Sequence, residues 1–300
     1  MSDRLQVLVV TGHDHFHHRW RVGATRLREV LEEAGIFDVR VTEELRGAGP
    51  ETLEPYDCVV VSYFGAVKPG EKEQRWGERT EQALFDFVRG GRGIVLAHPA
   101  FAMGRTWDNP RGDELLRLAG GLLQRESRRA PEEDWTVTLD DPDHEITRGL
   151  PEAWEQMTDD KFVNLRWHPD ARVHVLASLY DDPSSYLDGA YYAVDGAQPG
   201  PKLYHPADVA RLPGVGERHP VVWTNTFGDG RVFALTIGHV GASTIEDAHA
   251  GLASGRDVGP SIDVATRTVG FVNLLRRGTE WAATGSVTLP VVESEAAAPA

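Results

Sequence analysis

Three hundred residues with a formal charge of −15 and a single cysteine form a chain long enough to bury most of its apolar surface without covalent staples. The acidity argues against nucleic acid as a partner, because phosphate binding needs a basic patch, and the lone Cys58 excludes an intrachain disulfide. With no signal-like apolar N-terminus and no run long enough to span a bilayer, the expectation is a cytoplasmic chain that does not engage membranes.

In chain order, a mostly apolar first strand at 5–10 opens into Thr11-Gly12-His13-Asp14-His15-Phe16-His17-His18-Arg19-Trp20. Ala24, Leu27, Leu31 and Ala34 then fall on one helical stripe, and Gly35 stands where a helix C-cap favours positive φ. A short second strand covers 39–42, and a third, apolar on both faces, covers 57–63. A loop through Lys68, Pro69 and Gly70 leads to a helix that turns Leu84, Phe87 and Val88 inward. The fourth strand, 93–97, stops at His98-Pro99, since proline cannot donate to the ladder. Such alternation predicts an α/β chain with a mostly parallel central sheet covered by helices on both faces.

From Trp135 the rhythm changes to strands and turns. Strands are predicted at 135–139, 173–179 and 190–194, followed by a hairpin of 221–226 and 232–237 around Gly228-Asp229-Gly230. The stretch 184–218, rich in Pro, Gly, Tyr and Asp, is long for a connection and reads as an excursion over one sheet edge. A last helix carries Val264, Phe271, Leu274 and Leu275 to the core and runs to about residue 283. Residues 1–285 read as one domain and 286–300 as a tail disordered at its end.

Candidate chemistry gathers at strand ends, where open α/β sheets keep their sites. Four histidines follow the first strand: His13, His15, His17 and His18. His98 ends the fourth, pointing toward the crevice. Gly90-Gly91-Arg92-Gly93-Ile94-Val95-Leu96-Ala97-His98 resembles the strand before the nucleophile in class I glutamine amidotransferases, but those enzymes need a thiolate. The only thiol, Cys58, lies within the third strand, where apolar surroundings keep it inert.

Five segments together resemble the ThuA-like family, named for trehalose utilisation. They are Leu8-Val9-Val10-Thr11-Gly12 with His18-Arg19-Trp20; the glycine-rich strand ending in His98; Asp143-His144-Glu145-Ile146-Thr147-Arg148-Gly149-Leu150; Thr158-Asp159-Asp160-Lys161-Phe162; and Gly228-Asp229-Gly230-Arg231-Val232-Phe233 leading to Gly238-His239. The resemblance runs from about residue 5 to 283. It implies a flavodoxin-like, class I glutamine amidotransferase-like three-layer sandwich with a mostly parallel central sheet and an extra β-rich excursion, and a role in sugar catabolism. The chain departs from the family pattern at Asp160, where a longer glutamate is usual, at Phe162, which lacks a tyrosine hydroxyl, and at Val240, where aspartate often stands.

The resemblance also implies that His18, His98, His239, Asp159 and Asp160 converge as the catalytic groups of one cleft, with Asp160 preferred over Asp159. Two chemistries fit such a set. An aspartate beside a histidine in a dry cleft makes a general acid or base poised near neutrality. Alternatively, His98, His239 and Asp160 make a two-nitrogen, one-oxygen set for zinc or another divalent metal ion. Trp20 and Trp107 are candidate platforms for a sugar ring. The expected partner is a small-molecule carbohydrate or polyhydroxylated derivative, handled by a hydrolase or isomerase rather than an amidotransferase, and a homo-oligomer is compatible with the sequence. The alternative is a non-catalytic sugar-binding or regulatory module on the same fold.

Overall fold

The computed structural model describes residues 4–12, 18–63, 75–105, 111–124, 126–187, 206–242 and 261–293. Strands β1 (Leu5–Val10), β2 (Phe37–Thr42), β3 (Cys58–Val61) and β4 (Gly93–Ala97) alternate with helices α1 (Trp20–Glu33), α2 (Pro50–Leu53) and α3 (Glu78–Arg89). Helix α4 (Arg111–Ala119) and the short β5 (Gly121–Leu122) lead into two long strands, β6 (Arg128–Leu139) and β7 (Ala153–Val163). There follow β8 (Arg166–Trp167), β9 (His174–Tyr180), the one-turn α5 (Pro206–Val209), and the hairpin β10 (Arg218–Phe227) and β11 (Gly230–Leu235). A small ladder of β12 (Gly241–Ala242) and β13 (Ser261–Ile262) precedes the last helix, α6 (Val269–Thr284). The predicted strand at 190–194, most of the 184–218 excursion, the loop through Lys68 and the last residues of the tail lie outside the described residues.

Nine strands form one sheet in the order β2-β1-β3-β4-β11-β10-β9-β6-β7. β1, β3 and β4 are nearly uninterrupted apolar runs because both of their faces are covered. Side chains alternate across the sheet. Val7, Val9, Val60 and Val95 join Leu27, Val30 and Leu31 of α1 and Leu274 and Leu275 of α6 in one core. Val59, Val61, Ile94 and Leu96 join Leu84, Phe85 and Val88 of α3 and Leu115 and Leu116 of α4 in the other.

The expectation of a mostly parallel sheet is corrected: the sheet is mixed. From β2 to β11 the neighbours pair in parallel, and from β11 to β7 every neighbour pairs antiparallel. The reason is local. Gly228 at φ +64° lets β10 and β11 close through a two-residue turn with Phe227 opposite Gly230, and no crossover helix follows to restore parallel order.

The β6–β7 hairpin sets the place of Asp159 and Asp160. They lie inside β7, paired to β6 with Glu133 opposite Asp159. Register shifts between Ala130 and Glu133 and between Glu133 and Trp135, together with Thr158 at φ +38°, bend this hairpin, and Pro131 is tolerated at the first irregularity. The bend brings β7, last in the sheet order, across the end of β11, where the Asp159 side chain meets the backbone of Gly238 and His239.

Candidate functional site

The chain steps from β1 outward to β2, then returns to lay β3 on the other side of β1, so the order reverses beside β1. Crevices at such reversals sit at the carboxyl ends of the strands. His18 precedes α1 on the connection leaving β1, His98 immediately follows β4, and His239 follows β11. Their rings form a nearly equilateral triangle, with centroids 5.4 Å apart for His18 and His98, 5.1 Å for His18 and His239, and 5.2 Å for His98 and His239. Asp160 closes the group from β7. One donor atom each from His18, His98, His239 and Asp160 lies within 4.8 Å of the others, so that among the described residues these four could hold a metal ion.

Each side chain is oriented by a neighbour. His98 Nδ1 lies 2.6 Å from the carbonyl oxygen of Thr236. A carbonyl only accepts, so Nδ1 carries the proton and, in the neutral ring, Nε2 presents a bare lone pair. That Nε2 faces Asp160 Oδ2 at 3.5 Å, and among the described residues neither atom has a hydrogen-bond partner. The other carboxylate oxygen, Oδ1, accepts from the guanidinium of Arg129 on β6. Phe162 stacks under the His98 ring at 4.7 Å and fixes its plane.

His239 is set by its backbone. Gly238 adopts φ +105°, and a Cβ there would stand 2.3 Å from the Phe271 ring, so only glycine makes this turn. Asp159 then accepts from Gly238 N at 2.7 Å, His239 N at 2.9 Å, Gln156 Nε2 at 2.8 Å and Asp160 N at 2.8 Å. Asp159 therefore clamps the loop that carries His239, while Asp160 faces the cluster. His239 Nδ1 lies 3.9 Å from Asp160 Oδ1 and 3.7 Å from Glu132 Oε1 of β6.

Burial and charge divide the group. His98, His239, Asp159 and Asp160 are buried, and His18 is half-buried. Burial, reinforced by the charges of His239 and His98, pushes His18 well below the usual histidine range and keeps it neutral. Burial opposes protonation of His239 too, yet the carboxylates of Asp160 and Glu132 outweigh it and His239 is pushed up to about 9. Burial would raise Asp160, but Arg129 and His239 override it and hold its carboxyl well below the usual range. Burial raises Asp159, with His98 and the N–H groups of Gly238 and His239 pulling the other way.

Trp20 heads α1 two residues after His18 and is half-buried, with the Arg21 guanidinium 4.0 Å above its ring. His13, His15, His17 and Trp107 lie outside the described residues. Cys58 is fully buried in β3, where burial raises its thiol. Sequence reasoning missed Arg129, Glu132 and Gln156. Arg128-Arg129-Ala130-Pro131-Glu132-Glu133 has no two-residue alternation and contains a proline, so nothing in it signals a strand.

A model of the family described as "Trehalose utilisation" matches residues 6–251, a span that includes His18, His98, Asp160 and His239. The chain belongs to the ThuA family. Among solved structures, a ThuA-like protein from Parabacteroides merdae is 22% identical, with a TM-score of 0.68 over 97% of this chain and 94% of that one. Another, from Bacteroides uniformis, is 17% identical, with a TM-score of 0.58 over 96% of this chain and 94% of that one. These likenesses establish that the ThuA-like fold extends over nearly the whole chain. No curated protein matches it. Among the described residues of this ThuA-family chain no helix is long and apolar enough to cross a membrane.

Proposed function

We propose that this ThuA-family chain is an enzyme acting on a carbohydrate or related polyhydroxylated small molecule, and that the cleft of His18, His98, His239 and Asp160 is its catalytic centre. The observation that carries the reading is the pair of buried acceptors, His98 Nε2 and Asp160 Oδ2, facing each other at 3.5 Å. Two lone pairs held together away from water are unfavourable until a positive charge joins them. The cleft is therefore a seat for positive charge, and such a charge polarises a hydroxyl or carbonyl oxygen of a bound sugar toward isomerisation or hydrolysis. The family's description, trehalose utilisation, supports a sugar as the substrate class.

Amidotransferase activity is left out of the proposal because the strand-end position of the nucleophile is His98 and the sole thiol is buried elsewhere and held protonated. The test is incubation of the chain with trehalose and a panel of aldoses, ketoses and oxidised disaccharides, followed by proton NMR. Conversion of at least one sugar is expected in the natural chain and its loss, by at least about a hundredfold, in His98→Asn. A natural chain that binds sugars and converts none, with His98→Asn merely weakening binding, would make this a binding module and overturn the reading.

A further inference from the structure

We propose that the charge seated in the cleft is a divalent transition-metal ion held by His18, His98, His239 and Asp160, and that Arg129 selects it by leaving Asp160 a single oxygen to offer. The proposal rests on the reading above of the cluster as a seat for positive charge.

A proton could join His98 Nε2 to Asp160 Oδ2, but an N–H···O bond spans about 2.7–3.2 Å, and these atoms stand 3.5 Å apart. Two donors each about 2.1 Å from one ion at a tetrahedral angle are about 3.4 Å apart. The separation in the cleft thus suits an ion bonded to both better than a proton shared between them. The proton on His98 Nδ1, fixed by the Thr236 carbonyl, is the outer-layer contact that metal-binding histidines use to set their tautomer and aim the other nitrogen. The Asp159 clamp on the backbone of Gly238 and His239 positions the third imidazole, and an ion bound there takes the place of the proton that ring carries.

Ligand chemistry narrows the ion. Three imidazoles and one carboxylate oxygen suit zinc, cobalt, nickel, iron or manganese, whereas calcium takes six to eight oxygens and magnesium an oxygen octahedron. Arg129 sharpens this. Its guanidinium occupies Asp160 Oδ1, so only Oδ2 faces His98, and bidentate coordination, which a large oxygen-seeking cation would use, is blocked. Glu132, a further carboxylate near the cluster, lies 3.9 Å from Arg129 and 3.7 Å from His239 and is partly exposed, which places it at the rim.

The experiment is titration of the chelator-treated full chain with Co2+, Zn2+, Mn2+, Ca2+ and Mg2+ by calorimetry, with the visible absorption of Co2+ reporting its coordination. One Co2+ or Zn2+ per chain is expected, with no displacement by millimolar Ca2+ or Mg2+, and at least a hundredfold weaker binding in His98→Asn and Asp160→Asn that remain folded by circular dichroism. Arg129→Gln should narrow the preference for Zn2+ over Ca2+ by about tenfold or more, the size expected for an outer-layer partner. Arg129→Met, which keeps the length and removes the donors, tests the same point if the glutamine variant does not fold. No stoichiometric transition-metal ion in the natural chain, or unchanged binding in folded His98→Asn, overturns the metal site. A Zn2+ to Ca2+ ratio unchanged in both Arg129 variants overturns the role of Arg129. Sugar conversion by a chain that binds no ion would overturn the metal and spare the enzymatic reading, whereas a tightly held ion without sugar conversion would do the reverse.

Discussion

His18 and His239 carry the same side chain, stand 5.1 Å apart and are driven in opposite directions. Burial and two neighbouring imidazoles drive His18 down, while two carboxylates lift His239 to about 9 against its own burial. The sign of the consequence is definite. A histidine whose folded pKa exceeds the unfolded value of 6.5 stabilises the fold fully below 6.5, and that contribution is lost as pH rises toward 9. The chelator-treated chain should therefore lose about 3 kcal/mol of stability between pH 6.5 and 9 through His239. His18 adds only about 0.4 kcal/mol of the opposite sign across that window, because its unfolded ring is half protonated at 6.5 and neutral soon above, and Asp160 is silent because it is ionised in both states. Urea midpoints at the two pH values, compared with His239→Gln, measure the effect; an equal pH dependence in the variant would refute it. At this scale the histidines were legible from their places after predicted strands, and both aspartates through the resemblance to the ThuA-like family. Arg129 and Gln156 were not, because arginine and glutamine in a polar stretch carry no pattern that distinguishes a site from a solvated surface.

Among the elements, the β6–β7 hairpin and the start of α6 meet at the site. Thr268 caps α6 by accepting from Phe271 N and donates to Gln156 Oε1 at 2.9 Å, and Gln156 Nε2 reaches Asp159. A helix cap is thus joined through two buried side chains to the backbone that carries His239. Thr268→Ala should cost about 1–2 kcal/mol, the usual range for a lost cap, and Thr268→Ser should recover most of it in urea denaturation. If serine falls as far as alanine, the hydroxyl is not what stabilises this junction. The strands β1, β3 and β4 were readable because buried parallel strands are apolar throughout. Only the latter half of β6 was readable, and β7 was not. Ala153-Trp154-Glu155-Gln156-Met157-Thr158-Asp159-Asp160 mixes polar and apolar residues, since its side chains serve a bend and a buried polar network rather than one apolar face.

Over the whole molecule, the cleft joins segments that are remote in sequence: the exit of β1, the ends of β4 and β11, and the edge strand β7. A ligand that binds only the folded chain adds stability set by its concentration over its dissociation constant, about 4 kcal/mol at a thousandfold excess. Saturating Zn2+ or Co2+ should accordingly raise the melting temperature of the chelator-treated chain by several degrees, and His98→Asn should abolish the rise; a shift that persists in the variant would locate the ion elsewhere. The tail is a whole-molecule matter as well. Residues 287–292 fold back on α6, with the N–H groups of Thr288 and Leu289 held by buried Glu280 and Val292 N held by Asn273. Val287, Leu289, Val291 and Val292 pack against the core as well, and where they land is decided by polar groups spaced along a helix that is remote from the tail's own pattern.

By itself the sequence determined the two-sided helical cover of β1, β3 and β4, the β10–β11 hairpin and the imidazoles on the connections that leave β1, β4 and β11. Those follow from hydrophobic period, glycine turns and the fixed order of a strand and its exit, all of them local. The tertiary structure alone decided that half of the sheet runs antiparallel, that β7 crosses the end of β11, and that His98 Nε2 confronts Asp160 Oδ2 while Arg129 holds the other oxygen. These are relations between distant segments, and they arise because bulged strands bend and buried polar atoms find their partners only when the chain closes on itself.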